Sequence, residues 1–383
     1  NRLDLRDRLV FTIGGGDARD FDDAVSLDIL DDGAYYLGVH IADVCEYVKE
    51  GSYLDKEAFV RGTSVYIPDR VIPMLPFELS NGICSLNPDV NRQTLSVFMK
   101  IDKNGEVTFD KLSKSVIRSK ERLTYNVVAD LLENPTPKLI NKYSHILPTL
   151  QKMDELAKIL RKRREERGSI NFDFPEAQIL VNEDGEPTDI FTYERRISHK
   201  MIEEFMLVCN ETVAELAFWA ELPFVYRVHE PPTLEKTLEF NRFLSNFGYG
   251  LKGKLDKDTP IHPKAFAMVQ EKIKGTPEET MISTYMLRSL MKAEYKPENL
   301  GHFGLSAKYY CHFTSPIRRY PDLIIHRILK KYIEGLEITG FYPEVKKASE
   351  NSSLTEREAE LCQRDVEDLL KTAFMSSKIG ECL

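Results

Sequence analysis

The 383 residues contain no run of 18 or more apolar positions and no basic-then-apolar leader, so nothing in them reads as a membrane span or a secretory signal. Cysteine is scarce and scattered. The six, Cys45, Cys84, Cys209, Cys311, Cys362 and Cys382, form no C-x-x-C pair and sit mostly in apolar surroundings. That spacing excludes a zinc ribbon and a disulfide framework, leaving reduced core thiols and a cytoplasmic protein as the expectation. Positive charge is also short, with 52 Lys and Arg against 61 Asp and Glu for a net charge of −9. Coating nucleic acid by bulk charge is thereby disfavoured, although a basic channel inside an acidic shell is compatible with it. The 42% hydrophobic and 30% charged content is that of an ordinary globular chain.

What the chain has in excess is acid at one place. Gly14-Gly15-Gly16-Asp17-Ala18-Arg19-Asp20-Phe21-Asp22-Asp23 packs four carboxylates into seven residues, after an apolar run at 9–13. Such a loop is tolerated if it is fully solvated, if some acids stay protonated, or if cations sit among them. Mg²⁺ and Mn²⁺ prefer carboxylate oxygens, and Mg²⁺ usually takes one or two while leaving places for phosphate oxygens. The spacing alone balances a metal site for phosphate chemistry against a plain acidic turn. It does exclude an EF-hand counted from Asp17, which needs Gly sixth and Glu twelfth where this chain has Asp22 and Asp28.

Residues 24–42 read as a hairpin turning at Asp31-Asp32-Gly33, which gives the acids a rigid base. Asp43, at the end of its second strand, reads either as a strand-end cap or as an assistant to the acids. Pro68, Pro73, Pro76 and Pro88 forbid a long helix there and predict an extended, wrapped loop. Tyr66 in that loop suits a core position or the stacking of a nucleic-acid base equally well. Lys111, Lys114, Arg118 and Lys120 dot a strand of the next hairpin, facing solvent or RNA. A helix over about 145–167, stopped by Gly168, ends in Arg161-Lys162-Arg163-Arg164, which the helix dipole favours and which RNA could also use. Residues 170–176 begin a strand pair that turns at 183–185.

Residues 198–219 form a nearly all-apolar, hence buried, helix, in which Glu203, Glu204 and Asn210 require partners. Residues 233–300 carry nothing tied to chemistry. Pro321 suits the start of a helix, placing Arg318 and Arg319 in the loop that enters it. Free helix N–H groups together with a guanidinium make an anion site. Residues 337–349 read as a linker, and Thr355 with Glu358 as a capping box opening a last helix on Cys362, Val366 and Leu369.

In order along the chain, the blocks at 12–25, 38–44, 61–92, 198–210, 226–231 and 301–327 resemble the catalytic (RNB) domain of the ribonuclease II and ribonuclease R family, which are 3′→5′ exoribonucleases. The run His312-Phe313-Thr314-Ser315-Pro316-Ile317-Arg318-Arg319-Tyr320-Pro321-Asp322 is shared almost letter for letter. The resemblance implies an α+β fold, with antiparallel strands and surrounding helices forming a funnel to the active site. It implies one RNB catalytic domain over 1–383, with a core of about 1–335 and a closing helix of about 353–380. The cold-shock and S1 domains of full-length members are not expected within this chain.

The same resemblance implies hydrolysis of single-stranded RNA to nucleoside 5′-monophosphates, assisted by Mg²⁺ or Mn²⁺ on Asp20, Asp22 and Asp23. Asp22, Asp23 and Arg318 would be catalytic, and Tyr66, Arg318, Arg319 and His312 would contact RNA. Single-stranded RNA is the expected partner, with no membrane, no obligate protein partner and a monomeric chain. One departure matters: Gly14 stands where the family has a fourth metal-binding aspartate. The alternative is therefore an RNA-binding domain with impaired catalysis, unless Asp17 shifts to compensate. A paired-carboxylate glycosidase has no use for Arg318.

Overall fold

A computed structural model describes residues 2–171, 176–255, 260–376 and 378–380. Its fold is mixed α+β, built on a seven-stranded sheet. The chain begins with β1 (Leu3–Leu5), β2 (Phe11–Gly14), β3 (Asp23–Ile29) and β4 (Tyr35–Ala42). A helix, α1 (Tyr53–Arg61), and a small hairpin of β5 (Val65–Ile67) and β6 (Arg70–Ile72) precede β7 (Asn91–Ile101), β8 (Val107–Arg118) and β9 (Glu121–Thr124). The sheet order is β1-β8-β7-β4-β3-β2-β9, antiparallel in the middle and parallel at the β1/β8 and β2/β9 pairs.

Period-two alternation sends Leu37, Val39 and Ile41 of β4 and Leu95 and Val97 of β7 to the core, all fully buried. The opposite face buries a hydroxyl network instead. His40 meets Ser26 Oγ at 2.9 Å through Nε2 and Ser96 Oγ at 2.7 Å through Nδ1. Burial lowers the His40 pKa to about 3, so this imidazole is neutral.

Helices α2 (Tyr125–Glu133), α3 (Pro137–Lys142) and α4 (Leu147–Arg167) follow, then the hairpin of β10 (Glu176–Val181) and β11 (Pro187–Tyr193) and the long α5 (Ile197–Trp219). As expected, α4 ends at Gly168, whose φ of 100° closes the helix in the left-handed region. Phe172, Asp173, Phe174 and Pro175 of the foreseen strand pair lie outside the described residues. Glu204, buried on α5, has its partner in Arg164 of α4, whose Nη2 and Nε donate to it at 2.7 and 3.2 Å.

After β12 (Tyr226–Val228), helices α6 (Leu234–Ser245), α7 (Lys264–Ile273) and α8 (Glu279–Ser289) gather round a second apolar cluster that includes Phe240, Phe266, Ile282 and Met286. Then come β13 (Glu294–Lys296), α9 (Tyr320–Ile333) and α10 (Tyr342–Ser376). The last helix corrects the sequence reading. Residues 342–349 are helical rather than linker, because Val345, Ala348, Ser349 and Ser352 bury one face against the body and carry the helix through. Thr355 is consequently no N-cap. Its hydroxyl donates back to Asn351 O at 3.0 Å, the habit of a mid-helix threonine.

No helix among the described residues is long and apolar enough to cross a membrane. Cys45, Cys84, Cys209 and Cys311 are buried free thiols and Cys362 is an exposed one, while Cys382 lies outside the described residues.

Candidate active site

The acidic loop links β2 to β3, and its backbone is pinned from three sides. Arg122 of β9 donates from Nη2 to the carbonyls of Gly16 and Ala18, both at 2.8 Å. Ser85 Oγ donates to Arg19 O and accepts from Phe21 N–H. Ala42 N–H donates to Asp22 O at 2.8 Å, which locks the loop to β4. Three separate elements thus fix where Asp20, Asp22 and Asp23 emerge.

The loop that enters α9 meets these acids. Ile317 N–H donates to Asp22 Oδ1 at 2.8 Å across 295 residues of chain. Arg318 Nε stands 3.9 Å from Asp22 Oδ2, beyond hydrogen-bond range but well within Coulombic reach. The Arg318 side chain is 42% exposed and that of Asp22 only 5%, so the guanidinium faces outward over a buried acid. The same loop is tied to the Tyr66 segment. Arg318 O accepts from Thr63 Oγ1 and Ser64 N–H, both at 3.0 Å, and Tyr320 N–H donates to Gly62 O. Gly62 has φ of 66°, and a Cβ there would lie 1.9 Å from Thr355 Oγ1 on α10, so no other residue fits.

Beneath Arg318 lies a bracing layer. Arg319 holds Asp322 with two bonds of 2.9 and 2.8 Å, and Asp322 accepts in turn from Ser315 N–H at 2.7 Å. His312 Nδ1 bonds the Tyr295 hydroxyl at 2.8 Å, while burial and the neighbouring Arg319 and Arg227 keep its pKa well below the usual imidazole value. Asn210 of α5 receives Phe313 N–H at 2.9 Å, so the buried helix fastens this loop.

The electrostatics of the acids are those of a site short of positive charge. Burial raises the Asp22 pKa well above the carboxylate norm, Arg318 opposes, and Asp20 and Asp23 add to the rise. Burial pushes Asp23 up to about 6, again against Arg318. Asp20 accepts from the Tyr66 hydroxyl at 2.8 Å. An open cleft of about 900 Å³ runs from Asp20 and Tyr66 past Arg70 and Phe77 to Ile179 of β10 and Glu367 of α10.

At Gly14 an added Cβ would come within 2.9 Å of Phe21 Cε1, and Arg122 lies over the same ring at 4.8 Å. Space that a fourth acid would need is therefore taken by an aromatic side chain. The donor set is all oxygen, the kind that Mg²⁺ and Mn²⁺ take, and the raised Asp22 and Asp23 would be relieved by a cation. Among the described residues, however, no three His, Cys, Asp or Glu side chains converge into a complete cage. The carboxylates fit a cation that draws its remaining ligands from elsewhere, as Mg²⁺ commonly does.

The structure brings together Asp20, Asp22, Asp23, Tyr66 and Arg318, and places Arg319 and His312 one layer below them. Asp17 is exposed at the cleft mouth. Asp43 is tied into ion pairs with Arg2 and Lys330 at 2.6 and 3.0 Å. Among the basic residues considered for RNA, Arg164 is buried on Glu204, Arg161 pairs with Glu165, and Lys114 pairs with Glu334. Sequence reasoning missed Tyr125, which follows the Thr124 that pairs with Gly14 and whose phenol pKa is raised by burial and then by the Asp23 charge, with Arg318 opposing. It carries no motif, and only its position directly after the strand beside β2 could have pointed to it.

The sequence profile described as RNB domain matches residues 2–335. Ribonuclease R 1 of Lactococcus lactis is 46% identical over 384 residues, an alignment covering 99% of this chain and 46% of that one. Ribonuclease R of Aquifex aeolicus is 44% identical, covering 99% and 54%. Among solved structures, Mycoplasma genitalium RNase R in complex with ribose methylated single-stranded RNA superposes with a TM-score of 0.90 at 30% identity, over 98% of this chain and 59% of that one. The chain spans about half the length of the curated relatives it matches.

Proposed function

The chain belongs to the RNB domain family, and from that premise we propose that it is a 3′→5′ exoribonuclease that hydrolyses single-stranded RNA to nucleoside 5′-monophosphates with the help of a divalent cation. The observation that carries this reading is the bond from Ile317 N–H to buried Asp22, which sets the exposed Arg318 guanidinium directly over the acids. Mycoplasma genitalium RNase R has been solved with single-stranded and with double-stranded RNA, which supports RNA as the partner.

Arg318 would grip the phosphate at the bond to be cut and offset the charge that grows on its oxygens. Tyr66, on a two-stranded hairpin at the mouth, offers its ring to the terminal base, a contact worth about 1–3 kcal/mol that is indifferent to sequence. Asp22 and Asp23, joined by Asp20 once Tyr66 lets go, would hold Mg²⁺ or Mn²⁺. Such an ion supplies an activated water and steadies the leaving oxygen. Arg319 and His312 would serve RNA binding by keeping the Arg318 loop in shape. The buried free thiols fit a reducing compartment, and we place the chain in the cytoplasm, acting as a monomer.

The test is digestion of a 5′-labelled single-stranded RNA with Mg²⁺ or Mn²⁺ and with EDTA. Stepwise shortening with release of mononucleotides, lost in EDTA, is expected. Internal fragments overturn the exonucleolytic reading, and an unchanged rate in EDTA overturns the cation. The packing of Phe21 at Gly14 favours a second reading, RNA binding with slowed cleavage, in which the labelled RNA is retained on a filter but hardly shortened.

A further inference from the structure

Tyr125 opens α2 directly after its cap, Thr124, whose side chain accepts from Val127 N–H. The start of the helix fixes the backbone of Tyr125, and Ser198 Oγ donates to its carbonyl at 2.8 Å. Neither contact fixes the ring, but the register places Tyr125 by the acids, since Thr124 just before it pairs with Gly14 at the start of the acidic loop. The ring packs against the main apolar core and against His199, on the first turn of α5. The two rings stack with centroids 4.0 Å apart and planes 23° apart.

His199 is held from its other side. The Tyr193 hydroxyl lies 2.5 Å from Nε2, and the Tyr193 ring meets the imidazole edge-on at 5.4 Å. Tyr193 ends β11, and the partner strand β10 contributes Ala177, Gln178 and Ile179 to the wall of the acidic cleft. One hairpin therefore walls the cleft and also grips the imidazole behind Tyr125. Burial, together with Arg195, lowers the pKa of His199, which suits a neutral stacking partner rather than a phosphate clamp.

We propose that His199 is a positioning residue for phosphodiester cleavage: stacked on Tyr125 and clasped by Tyr193, it steadies the Tyr125 ring next to the strand pair from which the acidic loop departs and so aligns the bond to be cut. The proposal rests on the exoribonuclease reading. It makes Tyr125 the only route by which His199 acts, and this separates it from a general role in folding.

The experiment measures kcat and KM on a single-stranded RNA in Mg²⁺ for the parent, His199→Ala, His199→Phe, Tyr193→Phe, Tyr125→Ala and the Tyr125→Ala/His199→Ala double variant. His199→Ala should lower kcat by about three- to tenfold, the size one aromatic stack supplies, with KM changed less than about twofold. His199→Phe keeps a flat ring and should recover most of the loss. Tyr193→Phe should fall between His199→Ala and the parent. In the Tyr125→Ala background, His199→Ala should change nothing further. Parental kcat in His199→Ala, the same loss with and without the Tyr125 ring, or a loss confined to KM each overturns the proposal. His199→Phe keeps the test decisive if the alanine variant folds poorly. A parent that does not shorten RNA overturns the exoribonuclease reading and this inference with it. An active parent with indifferent His199 variants overturns this inference alone.

Discussion

Replacing Asp23 by Asn should stabilise the cation-free protein while stopping turnover. Burial pushes the Asp23 carboxyl up to about 6, in spite of Arg318. A carboxyl whose folded pKa lies above its unfolded value of about 3.9 costs no stability below that pH, a growing amount between the two values, and the full amount above about 6. Two pKa units correspond to about 3 kcal/mol, and the partial exposure of Asp23 trims this to about 1–2 kcal/mol. Asn removes the charge and keeps the outline of the side chain. For a chain of this size the melting temperature should rise by about 1–3 °C at pH 8 in EDTA and not at all at pH 4. Calorimetry and urea unfolding at both pH values read the effect directly. Saturating Mg²⁺ should close the gap by stabilising the parent alone. An Asp23→Asn protein that melts at or below the parent at pH 8, or a gain equally large at pH 4, refutes the reasoning.

Gly14→Asp must displace the Phe21 ring and should cost about 1–3 kcal/mol in urea unfolding with EDTA present. If it also gains nothing over an already brisk parent, the impaired-site reading is wrong. Tyr66→Phe removes the hydroxyl that occupies Asp20 and should tighten Mn²⁺ binding several-fold by titration calorimetry, whereas weaker binding contradicts that role. His40 and His326 are held neutral, at about 3 and about 4, and both titrate near 6.5 when unfolded. The unfolded chain therefore binds more protons below about pH 6.5, and these two residues withdraw stability as the pH falls toward 4. A His40→Gln variant should show a shallower fall in urea midpoint between pH 7 and pH 5.

The sheet and the buried helices were legible because their signals are local. Alternation marks β4 and β7, Gly168 stops α4, and the apolar run of α5 marks a helix that buries Met201, Phe205, Val213 and Ala217 in the core. The acids and Arg318 were legible as two short motifs, yet nothing in either one states that Ile317 N–H would reach Asp22. The start of α10 was misread because Thr355 and Glu358 satisfy a capping rule that packing of Val345 and Ala348 overrides. The basic run at 161–164 could not be sorted by sequence either, since Arg164 is buried by pairing with Glu204, a residue on a different helix. Tyr125 and His199 escaped for the same reason: their meaning lies in a stack between α2 and α5, which no spacing along the chain encodes.

The central claim is that the acids of the β2–β3 loop and Arg318 form one device acting on one phosphodiester. Single-turnover cleavage of labelled single-stranded RNA by Asp22→Asn, Arg318→Ala and the double variant tests it most directly. If the two act in the same step, each single change should lower the rate by about a hundredfold or more, and the double should be little worse than the poorer single. Losses that multiply in the double variant, or an Asp22→Asn protein that cleaves at the parental rate, would contradict it.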